Sequence, residues 1–468
     1  MKVTGDMLNV PDGYVFNLNN QTIDFTRVHI NFKGGVLKNG KLTGYHTKIT
    51  AGQVQIFDDI ELLGTYYHSA TGAAYLQWFG LKENDSNFDI SDYYPLLAGK
   101  FKVIDLGEGL YFSEKGEIQV VGVLRGSSEH AVTIEYRPSK NNTYLFSIGK
   151  YNGTFSERDY YRPSIENLSI YPISNTRRTG ISVIVVGACS KSRITNVKVL
   201  NNTPEFMFTE QDLNDFVLTR NPAKANIGLE FKGDSELVSI SNFTAYTDIP
   251  VKIVGHNDPT AFIDFLQFND CFLVANTNGI ASFYVASEGI ECQNISFYGN
   301  NSFNQGLYGI YVEDLKDLNK GWGCLKSCVF KGIRVEQLNG NILNQQGEVE
   351  AKSIRLGFTN RYMNPVFSEI ICAGSGASFY IGGAQLGSVK LDNITMTRDV
   401  NINVPYTFKV KNYLNSEKFT VFLNNIDVRP DTGVPQLPYV LDGMDIYEDS
   451  LNKTFGRIDS AKITKASL

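Results

Sequence analysis

A chain of 468 residues with 43 Lys and Arg against 49 Asp and Glu carries a net charge of −6. It has no basic run to draw duplex nucleic acid or an anionic membrane, so neither is an expected partner. Aromatics reach 12%, 42 residues are Gly, and there are neither heptads nor apolar runs of membrane length, which suits an all-β chain and excludes membrane insertion by helices.

Residues 1–69 alternate apolar and polar in short runs, such as Val15-Phe16-Asn17-Leu18 and Val28-His29-Ile30-Asn31-Phe32, separated by Gly and Asn. They predict an N-terminal β segment or cap, which the open end of a stack of strands requires. The start at Met1-Lys2-Val3-Thr4-Gly5 has no apolar signal core, which predicts either no signal peptide or one already removed. Residues 70–102 break the rhythm with Trp78-Phe79-Gly80, an Asn/Asp-rich stretch, and Ile90 to Leu97 at near-helical spacing. A short helix closing the stack is expected there. From 103 the strand pattern resumes, and 103–430 is read as the main unit, with 431–468 a C-terminal cap or tail.

The main unit repeats one hexad: apolar, any, Asn or similar, apolar, any, apolar. It starts at Ile165, Ile194, Ile240, Phe268, Cys292, Leu325, Phe367, Leu391 and Leu423, at intervals of 24 to 46 residues. Asn167, Asn196, Asn242, Asp270, Asn294, Ser327, Glu369, Asn393 and Asn425 occupy the third place. Asn accepts the left-handed backbone conformation at low cost, so each is predicted to turn a corner between two half-buried strands. Fixed corners with elastic spacers mean stacked rungs whose loops vary in length. Hairpin signals such as Asn339-Gly340 and Asp12-Gly13 are isolated, which disfavours a sandwich or propeller. The expected fold is an all-β, right-handed parallel β-helix, a solenoid with an N-terminal cap segment and a short helix.

Six cysteines could suggest disulfides, but Cys271, Cys292, Cys328 and Cys372 take apolar hexad places, and Cys189 and Cys324 lie in small-residue segments. They read as buried, reduced thiols. No spacing supports a metal site, and no cofactor is called for.

The segment Trp78-Phe79-Gly80, a short helix, and a strand reaching Gly109-Leu110-Tyr111 resembles the lead-in of pectate-lyase-like β-helix proteins, including bacteriophage tailspikes. The resemblance covers roughly residues 70 to 430. Leu81-Lys82-Glu83-Asn84-Asp85 departs from the glycine-rich pattern usual there, and the polygalacturonase and pectate lyase motifs are missing. By resemblance, the protein is expected to be a homotrimer in the virion tail, made in the host cytoplasm, contacting other tail proteins and a bacterial surface polysaccharide. A secreted or cell-surface location is the alternative.

Strands preceded by Gly or Pro can be stacked so that Glu230, Lys232, Lys252, Ser282, Tyr284, Tyr311, Glu313, Ser378, Tyr380 and Lys409 share one outward stripe. Tyrosine faces take sugar C–H groups and the polar neighbours bind hydroxyls, so Glu230, Lys252, Tyr284, Tyr311 and Tyr380 are predicted to bind substrate. Glycoside hydrolysis needs two carboxyl groups about 5 to 9.5 Å apart, a gap that neighbouring rungs supply. Glu288, Glu313 and Asp314 are the expected catalytic acids, with Asp264 and Asp270 weaker choices and His256 the most loop-like base for a lyase. Three readings stay open: a polysaccharide depolymerase, hydrolase before lyase; a non-catalytic glycan-binding receptor-binding protein; and a structural tail component. A secreted bacterial polysaccharide enzyme without its signal is a variant of the first.

Overall fold

The computed structural model describes residues 6–68, 72–151, 153–157, 162–201, 203–254, 262–286, 292–315, 324–374, 378–398, 408–410, 419–430, 439–441 and 463–465. Among these residues every ladder between strands is parallel, and the strands fall into three sheets of 6, 12 and 19 members. The chain is mostly β.

The 12-stranded sheet runs strictly in sequence order. Its members are β1 (Ile118–Val120), β2 (Tyr144–Ile148), β3 (Ser182–Val186), β4 (Ile227–Phe231), β5 (Ile249–Ile253), β6 (Ala281–Val285), β7 (Tyr308–Val312), β8 (Lys352–Leu356), β9 (Phe379–Ile381), β10 (Phe408–Val410), β11 (Tyr439–Leu441) and β12 (Ile463–Lys465). The ladder thus runs on past residue 430. Each strand adds one rung about 4.8 Å from the last. Ile118, Phe146, Ile184, Leu229, Val251, Phe283, Ile310, Ile354 and Phe379 stand in one inward column, and all are buried.

The 19-stranded sheet supplies the opposing wall. Its inward column includes Phe268, Phe297, Phe330 and Phe367, whose rings stack at centroid distances of 4.6, 5.4 and 4.6 Å. Phe283 of β6 meets Phe297 edge-on at 5.1 Å, which ties the two sheets through the core.

All nine predicted corner residues have φ between 50° and 58°. Register separates them into two corners, however. Phe297 pairs with Phe268 and Phe330 with Phe297, so the partners of Asp270 on the next two rungs are Gly299 and Gly332, with φ of 76° and 67°. Cys292 instead pairs with Ile263, which puts Asn294 and Ser327 on a second corner a few residues earlier. That corner also holds Leu237 and Phe265 at φ of 55° and 52°. A Cβ on Gly299 would lie 2.3 Å from an Asp270 carboxylate oxygen, so the site takes glycine for space as well as for φ. On the main corner Asn196 donates to Asn167 at 2.9 Å and accepts from Asn242 at 3.0 Å.

The six-stranded sheet, from Met7 to His68, is parallel as well and meets the rest through Trp78. Trp78 is fully buried, donates to the Gly52 carbonyl at 2.8 Å, and touches Phe57, His68, Tyr75 and Phe101. The expected helix is α1 (Ile90–Leu97), capped by Asp89, which accepts from the Ser91 amide at 2.8 Å. Asp89 also accepts from the Glu114 and Lys115 amides. Burial pushes its carboxyl up, yet these amide donors hold it below the usual range. Cys189, Cys271, Cys292, Cys328 and Cys372 are buried free thiols, and the Cys324 side chain lies outside the described residues. No helix among the described residues is long and apolar enough to cross a membrane.

Candidate functional site

Register on the outer face of the 12-stranded sheet places Glu230, Lys252, Tyr284, Tyr311, Arg355, Tyr380 and Lys409 at one position on seven successive rungs, β4 to β10. Glu230 accepts from Ser182 at 2.6 Å and lies 3.7 Å from the Lys252 ammonium. The ammonium is 5.9 Å from the Tyr284 ring, and Tyr284 leans on Tyr311 at 4.9 Å. Beyond Tyr311 the Arg355 guanidinium lies between two rings, 5.0 Å from Tyr311 and 5.3 Å from Tyr380. From Lys252 to Lys409 the column thus interleaves three cations with three aromatic faces.

A helix lies across it. α2 (Glu210–Thr219) begins with Thr209, which caps the Asp212 amide while Asp212 reaches back, a reciprocal capping box. Asp212 also pairs with Arg177 and lies 3.5 Å from the Lys224 ammonium. Burial raises its carboxyl, but the Thr209 hydrogen bonds and Arg177 outweigh burial and hold it low. The root of the segment is fastened by Asp248, fully buried, which accepts from the Phe208 and Asn226 amides and the Asn276 side chain at 2.8, 2.9 and 2.8 Å. Burial pushes the Asp248 carboxyl up to about 7 against those donors.

At its far end α2 seats Phe216 edge-on against Tyr311 at 5.9 Å. Arg220, its C-cap at φ 55°, donates to the Tyr308 hydroxyl at 2.8 Å and to Glu350 at 2.7 Å, and Tyr308 donates to the same Glu350 oxygen. The consequence is a correction: Tyr284 and Tyr311 are aligned as expected but fully buried rather than exposed. Glu230 is buried too, whereas Lys252, Tyr380 and Lys409 are half-buried.

Among the described residues, two recesses open along this column. The smaller, of about 170 Å³, is bordered by Tyr144, Tyr151, Ser182, Glu230, Lys232 and Lys252. The larger is a groove of about 550 Å³ between α2, the 344–350 loop and the outer faces of β8, β9 and β10. Val217 and Leu218 form its helix wall, Asn344, Gln345 and Gln346 its amide rim, and Arg355, Tyr380 and Lys409 its floor, with Arg220, Lys352, Glu348 and Glu350 completing it.

The acids near this groove are paired. Asp314 accepts from Arg355 at 2.5 Å and from the Phe358 amide at 2.8 Å; burial raises its carboxyl, yet Arg355 holds it below the usual range. Burial likewise pushes Glu350 up, and Arg220 and Tyr308 hold it below. Lys352 donates to the Val349 and Ala351 carbonyls at 2.6 and 3.1 Å, and burial lowers its ammonium to about 8 although Glu350 opposes. Glu313 is buried at the end of β7. After burial itself, its charge is the largest cause holding the Tyr284 phenol well above its ordinary value. Glu288 and His256 lie outside the described residues. Asp264 accepts from Asn294 at 2.8 Å and Asp270 is a corner residue, so neither reaches the groove.

Arg355, Lys352, Glu350, Arg220 and Tyr308 escaped the sequence reading. Lys352 and Arg355 lie on β8, which follows Ala351 instead of Gly or Pro; Glu350 precedes it, Tyr308 opens β7, and Arg220 arrives from the C-cap of α2. The signal for α2 was present in Thr209-x-x-Asp212 followed by Leu213, Phe216 and Val217 at helical spacing.

No family model matches the chain, and no curated protein matches it in sequence. Among solved structures, it is similar to ORF18 of Geobacillus virus E2, at 14% identity and a TM-score of 0.44, over 77% of this chain and 62% of that one. The chain thus spans less than two thirds of the phage protein. It is also similar to endo-xylogalacturonan hydrolase from Aspergillus tubingensis, at 11% identity and a TM-score of 0.25, over 99% and 91% of the two chains.

Proposed function

We propose that the stacked rungs wind as a right-handed parallel β-helix and that the protein is a tailspike-like, polysaccharide-binding component of a phage virion. The observation that carries the binding is the groove of about 550 Å³ on β8 to β10, where an aromatic floor at Tyr380 meets an amide rim and fixed cations. Sugars need both: a ring face for their C–H groups and bidentate polar groups for their hydroxyls. The ligand in this reading is a bacterial surface polysaccharide, and binding is the part best supported.

Depolymerisation is the stronger form of the proposal. A retaining or inverting hydrolase needs one carboxyl protonated near neutral pH. Asp314 and Glu350, each held below the usual carboxylate range by an arginine, suit the ionised partner of such a pair better than that donor. Glu313, buried at the end of β7 and outside the groove lining, and Glu288 stay the sequence-based candidates for that part. Trimerisation, attachment to other tail proteins and location in the virion belong to the same proposal and are read by sedimentation and by labelling of particles.

The test is incubation of the full chain with capsular and lipopolysaccharide preparations from candidate host bacteria, following bound glycan, chain length and new reducing ends. Capture with shortening that Glu313→Gln abolishes supports a depolymerase, and capture without shortening supports a receptor-binding protein. No capture of any glycan overturns the proposal in favour of a structural component.

A further inference from the structure

We propose that the groove selects acidic saccharides, and that Arg355 is the residue that receives the sugar carboxylate. The inference rests on the polysaccharide reading and names its substrate class.

Arg355 has capacity its protein partners do not use. One terminal nitrogen bonds Asp314, while Nη1 is enclosed and has no hydrogen-bond partner among the described residues. A buried donor of a charged group left unpaired calls for an acceptor that the described residues do not provide. The guanidinium cannot leave to find one, because Tyr311 and Tyr380 hold it between their faces and only 11% of the side chain is exposed, on the groove. A small side-chain rotation, of the kind common on binding, presents Nη1 to that opening.

Charge points the same way. The groove collects Arg220, Lys352, Arg355 and Lys409 against Glu348 and Glu350, on a chain whose net charge is −6. Arg220 pairs with Glu350 and Arg355 with Asp314, and the groove lining itself carries four cations against two carboxylates. Neutral sugars are recognised by hydroxyls and amides and gain nothing from such an excess. A carboxylate does, through charge-assisted hydrogen bonds in a partly desolvated site.

The experiment measures binding of the full chain to polygalacturonate, alginate and hyaluronate, to the same three polymers after chemical reduction of their carboxyls, and to a phosphomannan. The expected result is a preference of about tenfold or more for the acidic polymers, weakening with salt. Arg355→Met should erase the preference. Because that variant leaves Asp314 unpaired, Arg355→Met with Asp314→Asn is the second variant, and it should fold and show the same loss. Equal binding of acidic and reduced polymers, an unchanged preference in the double variant, or binding of the phosphomannan alone would overturn the carboxylate assignment. Binding confined to neutral polymers overturns it while the polysaccharide reading stands; binding of no glycan, surface preparations included, removes both.

Discussion

The corner ladder makes a quantitative prediction at Asn196. Its side chain holds two ladder bonds, to Asn167 at 2.9 Å and from Asn242 at 3.0 Å, and its backbone sits at φ 53°. Asn196→Gly removes both bonds but keeps the left-handed backbone free, costing about 2 kcal/mol at about 1 kcal/mol per bond. Asn196→Ala loses the same bonds and adds the left-handed penalty of a Cβ, about 1 kcal/mol more, for a total near 3 kcal/mol. The assay is urea unfolding followed by circular dichroism, comparing midpoints, since a stack of rungs need not unfold in one step. The expected order is native, then Asn196→Gly, then Asn196→Ala. An alanine variant as stable as the glycine variant would refute the claim that backbone handedness at the corner chooses the residue.

Three further outcomes follow from the geometry. Phe297 touches Phe268, Phe283, Phe303 and Phe330 at centroid distances of 4.6 to 5.5 Å, so Phe297→Ala should cost about 4 kcal/mol in the same assay, and a change under 1 kcal/mol would deny it a place in the core. The Asp248 carboxyl, raised by burial from the usual 3.8 to about 7, contributes stability that is full below the lower value and lost as pH rises through the upper. The span is worth about 4 kcal/mol, so melting temperature should fall from pH 5 to pH 8 in the native chain and more shallowly in Asp248→Asn; parallel profiles would contradict this. Arg220→Ala removes the clamp on Tyr308 and leaves Glu350 buried without its arginine, so amide exchange across Glu210–Thr219 should quicken by about a hundredfold, equivalent to roughly 3 kcal/mol. Unchanged exchange there would mean that Phe216 and Asp248 suffice to hold α2.

Much of this was legible because a strand has a period of two. Parity alone aligned Glu230, Lys252, Tyr284, Tyr311 and Tyr380, and register bears that alignment out. Corner residues were equally plain, since left-handed backbone is expensive for most side chains. What the hexad did not carry is which corner it marks. Cys292 and Leu325 open the same pattern as Phe268, yet belong to the preceding bend, because both bends place a left-handed residue between apolar neighbours. Exposure was also out of reach, as a stripe read from strands says nothing about a helix inserted between Leu200 and Ile227 that comes to rest on β7. The groove itself depends on that helix. Its residues come from parts of the chain up to 192 positions apart, from Val217 to Lys409, which only the fold brings together.

The most direct test of the central claim is titration of the full chain with host surface polysaccharide, run beside Tyr380→Ala. Tyr380 supplies a half-buried ring on the groove floor, so its removal should leave the fold intact and weaken binding by about tenfold or more. Saturable binding that Tyr380→Ala weakens places the glycan on β8 to β10. Binding that the substitution leaves untouched, or no binding at all, contradicts the account.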